Sequence, residues 1–167
     1  MVRHIDLLFD LETLGFDKFR DRVVCASCRV VGSGVTYSFC GFDELTDLRL
    51  FFDKVKALNP TRVVSFNGYS FDIPFLWTKA LEHNLLLPRC FVDKSMHLDL
   101  WYILTRRGKG KLSDFAQLLG QPSVGVGSDV PDLYKAGKIS EIREHCESDL
   151  LVTESLFNRA KEVGLVG

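Results

Sequence analysis

The chain has 167 residues and a formal net charge of −1, with 46% apolar and 26% charged side chains. Such values fit one globular domain (residues 1–167) whose core needs no staples. No apolar run approaches the roughly 20 residues of a membrane span. Met1-Val2-Arg3-His4-Ile5-Asp6 lacks the apolar stretch of an export signal. No basic excess marks a non-specific nucleic-acid binder, and the expected location is the cytoplasm, with no membrane partner.

His4 to Glu12 reads as a strand, with Ile5, Leu7, Phe9 and Leu11 on one face and Leu8, Asp10 and Glu12 on the other. A polar loop from Thr13 to Asp21 leads to an apolar strand, Arg22 to Val31. Gly32-Ser33-Gly34 is a hairpin break, and Val35 to Cys40 is a third strand, so the first three strands form an antiparallel meander. The period then changes. Leu45, Leu48, Phe51, Phe52, Val55 and Leu58 recur at helical spacing up to Asn59-Pro60. Arg62 to Phe66 is a short buried strand, and Ile73, Leu76, Trp77, Ala80 and Leu81 mark a second helix. His97 to Leu100 fits either a fifth strand or a helix entry. Lys111 to Leu119 is a short helix, Gly120 to Pro131 a loop, and a long helix runs from about Glu141 to Val163. The expected class is α/β, a mixed sheet flanked by helices.

Five cysteines without an export signal do not suggest a disulfide framework; they read as buried thiols. Cys25-Ala26-Ser27-Cys28 has a zinc-like spacing, yet residues three apart on a strand face opposite sides and cannot share one ion.

Chemistry concentrates in three segments. Asp10 and Glu12, two apart, project from one face at the C-terminal end of the first strand, where ligands gather in open α/β sheets. Adjacent carboxylates repel unless a cation intervenes, and hard oxygen donors suit Mg²⁺ or Mn²⁺; a solvated strand end is the plain alternative. Asp72 lies in Asn67-Gly68-Tyr69-Ser70-Phe71-Asp72-Ile73-Pro74, where a helix N-cap would explain it equally. His145 and Asp149, four apart, share a helix face beside the apolar stripe Ile142, Cys146, Leu150 and Phe157; an intrahelical pair accounts for them as well.

Together these segments resemble the DEDD superfamily of 3′→5′ exonucleases, above all the exonuclease domain of family B DNA polymerases. Phe9-Asp10-Leu11-Glu12-Thr13 is similar to the first exonuclease motif, Phe66-Asn67-Gly68 through Phe71-Asp72-Ile73-Pro74-Phe75-Leu76 to the second, and His145 through Asp149 to the third. His97-Leu98-Asp99-Leu100-Trp101 is similar to a segment between the last two. The resemblance implies a ribonuclease-H-like fold, a five-stranded sheet of three antiparallel strands followed by parallel ones. It implies two divalent cations, Mg²⁺ or Mn²⁺, about 3.5–4 Å apart, with Asp10 bridging them, Glu12 and Asp149 completing one and Asp72 holding the other. His145 would orient or deprotonate the attacking water. The third motif departs from the family pattern: its spacing is that of the tyrosine subclass, but histidine fills the slot, and five before the aspartate stands Glu144.

By the same resemblance Thr13 and Leu14 meet the terminal nucleotide, while Asn67 and Phe71 hold the strand, although Phe71 also fits a core position. The implied substrate is the 3′ end of a single strand, DNA rather than RNA, cut to 5′-mononucleotides, in DNA repair or proofreading; a proofreading role would need a separate partner. Two competing readings are a catalytically silent nucleic-acid-binding module and a ribonuclease acting on short RNA. Arg106-Arg107-Gly108-Lys109-Gly110-Lys111 either tracks phosphates or is a solvated loop.

Overall fold

A computed structural model describes residues 4–122 and 125–167. Five strands, β1 (Asp6–Thr13), β2 (Val23–Val30), β3 (Thr36–Cys40), β4 (Arg62–Ser65) and β5 (His97–Asp99), form one sheet in the order β3-β2-β1-β4-β5. β1–β2 and β2–β3 pair antiparallel, whereas β1–β4 and β4–β5 pair parallel, which is the expected mixed sheet. Helices α1 (Glu44–Leu58), α2 (Asp72–His83), α3 (Leu100–Thr105), α4 (Leu112–Leu118), α5 (Val130–Lys135) and α6 (Ile139–Glu162) cover it. None of the described helices is long and apolar enough to cross a membrane.

The alternation along β1 decides what sits on each face of the sheet. Leu7, Phe9 and Leu11 enter a core with Leu48, Phe51, Phe52 and Val55 of α1 and Ile73, Phe75 and Leu76 of α2. Leu8 points the other way, onto Leu150, Leu156 and Phe157 of α6. Each such side chain contributes roughly 1.5–3 kcal/mol when fully buried, so β1 is clamped from both sides. Asp10 and Glu12 share the α6 face with Leu8. The β1–β2 register shifts between Glu12 and Thr13, an irregularity that ends regular pairing just past the acidic pair.

Helix termini follow local chemistry. Asp43 caps α1 by accepting from the Thr46 amide, and Asn59 closes it in the left-handed region at φ 45°, a conformation asparagine tolerates. The undecided segment proves to be both elements in succession: β5 ends at Asp99, whose side chain accepts from the Tyr102 amide and so opens α3. The expected loop from Gly120 to Pro131 needs correcting. Ser123 and Val124 lie outside the described residues, while Gly127–Asp129 is a 3₁₀ turn leading directly into α5. Pro131 sits in the first turn of α5, where its missing N–H costs nothing.

The cysteines also need a correction. Cys25 and Cys40 face each other in the β2–β3 register, and their sulfurs are joined in a disulfide; Cys28, Cys90 and Cys146 are free and buried. Strand alignment, which chain spacing does not reveal, makes this pair. Cys25 and Cys28 do fall in different core clusters, so they share no ion.

His97 couples the sheet to pH. Its Nε2 lies 2.7 Å from Ser65 Oγ, and its ring stacks on Tyr69 at 4.3 Å. Burial, against the opposing pull of Asp99, pushes its pKa from 6.5 down to about 4. The unfolded chain therefore protonates first as the pH falls. The contribution of His97 is complete above pH 6.5 and shrinks by up to about 3 kcal/mol as the pH drops toward 4. Urea melts of wild type and His97→Gln across this window are expected to show a stability gap that narrows as the pH falls.

Candidate active site

Asp10 and Glu12 project from β1 toward α6, and two turns of that helix face them. His145 Nε2 lies 3.5 Å from Glu12 Oε1 and 4.0 Å from Asp149 Oδ2. The Cys146 thiol donates to Asp10 Oδ2 at 3.3 Å. Ligand atoms of Glu12, His145 and Asp149 all lie within 4.8 Å of one another, as do those of Asp10, Glu12 and Cys146. Glu144, by contrast, is exposed, on another face of the helix.

Asp72 arrives from a third direction. It is the first residue of α2, but its carboxylate does not cap the helix across a turn. Oδ1 accepts the Leu11 backbone N–H at 3.1 Å, between the two acids of β1. This contact replaces the N-cap explanation: the side chain is 4% exposed and committed to the strand. Asp10, Glu12, Asp72, His145 and Asp149, with Asn67 and Phe71, line one cleft of about 270 Å³.

The electrostatics are unfavourable for a protein alone. Burial, with the charges of Glu12, Asp72 and Asp149, holds the Asp10 carboxyl well above its ordinary range. Burial, Asp149 and Asp72 do the same to Glu12. Burial lifts Asp72 to about 7 despite the amides of Asp72 and Leu11. Burial raises Asp149 too, with His145 opposing. Such a set of hard oxygen donors fits a divalent cation of the Mg²⁺ or Mn²⁺ type. Burial and the neighbouring acids keep the Cys146 thiol protonated, so no soft thiolate competes. A further acidic group, Glu44, Glu82 and His83, differs: Lys79 Nζ sits 2.7 Å from Glu82 and 4.0 Å from Glu44, and His83 Nε2 2.8 Å from Glu44. Lys79 already supplies that group with a cation.

The expected substrate contacts divide. Asn67 and Phe71 face the cleft; Thr13 and Leu14 line an adjoining pocket with Phe16, Phe71 and Gly127. The Thr13 hydroxyl donates to Gly15 O at 2.6 Å. Phe71 is half-buried against the core and also lines the cleft.

A family model described as a predicted 3′–5′ exonuclease related to the exonuclease domain of PolB matches residues 41–164. The chain belongs to this family. The matched span contains Asp72, His145 and Asp149 and begins after β1. The solved family B DNA polymerase of the hyperthermophilic archaeon Pyrobaculum calidifontis superposes with a TM-score of 0.83 at 21% identity, over 98% of this chain and 25% of that one. The fold is thus that of a PolB exonuclease domain, ribonuclease-H-like, and the chain spans about a quarter of the polymerase's length. No curated protein matches the chain significantly.

Within this family fold, several site features escaped the residue-level reading. Lys111 lines the cleft; the cationic run was visible, but not which of its cations borders the acids. Gly125 lies beside the His145 ring, where an added Cβ would be in ordinary contact 3.4 Å from Nδ1, and its φ of +76° is the backbone conformation that favours glycine. Asp99, buried, accepts the amides of Asn67 at 2.9 Å and Tyr69 at 3.0 Å and thereby fixes the cleft wall. Gly68 completes that wall, since a Cβ there would lie 2.3 Å from Ser65 Oγ.

Proposed function

We propose that the protein is a metal-dependent 3′→5′ exonuclease that shortens single-stranded nucleic acid, DNA in preference to RNA, from its 3′ end and releases 5′-mononucleotides. The observation that carries this reading is the meeting of four carboxylates from β1, α2 and α6 in one cleft beside a buried histidine. A merely binding module gains nothing from acids that repel both one another and phosphate. The DNA preference follows from the family's relation to a DNA polymerase domain.

Asp10, Glu12 and Asp149 are the residues to hold one divalent ion, and Asp10 with Asp72 a second. Bound there, the metal supplies charge neutralisation at the scissile phosphate and acidification of water. His145, fixed between Glu12 and Asp149, accepts the proton of the attacking water. Asn67 and Phe71 hold the strand, by hydrogen bonding and stacking. Lys111, also lining the cleft, meets a phosphate oxygen.

Incubating 5′-labelled oligonucleotides with Mg²⁺ or Mn²⁺ tests the reading. Expected is a ladder of progressively shorter labelled products, absent with chelator, with a blocked 3′ end, or with Asp149→Ala. Cleavage of blocked strands, or activity surviving Asp149→Ala, would overturn it. In the same assay Lys111→Ala is expected to raise KM about tenfold, the equivalent of about 1.4 kcal/mol for one charge-assisted phosphate contact.

A further inference from the structure

Behind the Asn67–Phe71 wall lies a second concave surface, lined by Tyr69, Ser70, Trp101, Tyr102 and Arg107 and about 650 Å³ in volume. Its chemistry is the opposite of the cleft's: among the described residues lining it there is no acid, three are aromatic and one is an arginine. The Arg107 guanidinium lies 4.8 Å over the Tyr102 ring and donates to its hydroxyl at 2.8 Å. Trp101 is anchored through Nε1, which donates to Gly110 O at 3.0 Å. Tyr69 is braced against His97. Tyr102 is 44% exposed, and Arg107 is exposed as well.

This surface is mechanically continuous with the cleft. The Asp99 carboxylate that takes the Asn67 and Tyr69 amides also accepts that of Tyr102 at 3.4 Å. One buried side chain thus ties a cleft residue to two groove residues. The same short run, Arg106 to Lys111, places Arg107 in the groove and Lys111 in the cleft. Cations spaced along a path lined with aromatic rings are what a single strand requires: phosphates follow the charge, and bases of any identity stack on the rings.

We propose that this groove is a second nucleic-acid subsite, holding the nucleotides upstream of those in the cleft, with bases on Trp101 and Tyr102 and a phosphate on Arg107. The assignment rests on the exonuclease reading for the direction of the strand, and its test is binding rather than hydrolysis, so the two fail separately. In the Asp10→Asn background, anisotropy of 5′-fluorescein dT12 and dT3 gives the dissociation constants. Tyr102→Ala combined with Arg107→Ala is expected to weaken dT12 by tenfold or more, about 1–3 kcal/mol per lost base stack, and dT3, which does not extend past the cleft, by much less. With Trp77→Phe leaving Trp101 as the reporter, dT12 is expected to quench emission and dT3 not to. Equal effects on both lengths, unchanged dT12 affinity, or no binding at all overturns the subsite; unchanged affinity would turn the groove into a protein-binding candidate. Length-dependent binding without hydrolysis by the wild type would remove the exonuclease reading and leave the subsite standing.

Discussion

Asp10→Asn is expected to raise the melting temperature of the metal-free protein while cutting turnover by at least about a hundredfold, because the metal's contribution is several kcal/mol and each tenfold in rate is about 1.4 kcal/mol. The stability half of this result follows from sign. Asp10, Glu12, Asp72 and Asp149 all have folded pKa values above their ordinary ones, so each binds its proton more tightly folded than unfolded. Below the ordinary carboxylate range, near pH 4, both states are protonated and the cluster costs nothing. As the pH rises through the elevated values, the unfolded chain ionises freely while the folded one must carry like charges in a buried cleft, and stability falls. At pH 8 removal of one charge relieves this. In a chain of this size about 1 kcal/mol corresponds to roughly 2–4 °C. Asparagine keeps the shape of the side chain beside Cys146. Mn²⁺ is expected to raise the wild-type melting temperature by mass action and to leave Asp10→Asn nearly unmoved. Calorimetry at pH 5 and pH 8, with Mn²⁺ and with chelator, reads all of this. A variant less stable than wild type at pH 8, together with indifference of the wild type to Mn²⁺, would mean that the protein itself satisfies the acids.

Whether a feature was legible in the sequence depended on whether local periodicity or strand alignment determines it. β1 was legible because its alternation is a local property: Leu7, Phe9 and Leu11 had to share one face, which left Asp10 and Glu12 on the other with Leu8. His145 and Asp149 were legible for the same reason at helical period. Asp72 was found, but its purpose was ambiguous, since an N-cap and a strand-bound carboxylate look alike until Leu11 is seen offering its amide. The pairing of Cys25 with Cys40 depends on β2–β3 register, and α5 was masked by glycine and proline residues that punctuate a loop and open a helix equally well. Asp99 stood inside a recognised segment, yet its task, fastening two separate pieces of backbone, exists only once β4 and β5 lie side by side. Thr13 and Leu14 line an adjoining pocket, just past the point where the β1–β2 register shifts.

The proposed base carries the second large effect, because by the resemblance His145 stands where the tyrosine subclass would have its hydroxyl, and Glu144 at the position the histidine subclass would use. Helix geometry separates the two residues: His145 is buried 3.5 Å from Glu12 under the Gly125 backbone, whereas Glu144 is exposed. Consecutive helical residues are about 100° apart, so Glu144 reaches the cleft only if α6 rotates, and its contacts with β1 and β2 (Cys146 and Ile142 in one core cluster, Leu150 and Phe157 in another) lock it. His145→Ala is therefore expected to lower kcat by about 10²–10⁴-fold, the usual contribution of a positioned base, with Glu144→Gln near wild type. His145→Tyr puts at the same helical position the group that the resemblance assigns there, and is expected to regain part of the rate. If instead Glu144→Gln abolishes turnover and His145→Ala does not, the register of α6 against β1 differs during catalysis from the one described, and the tyrosine-type spacing of the third motif has no mechanistic meaning in this chain.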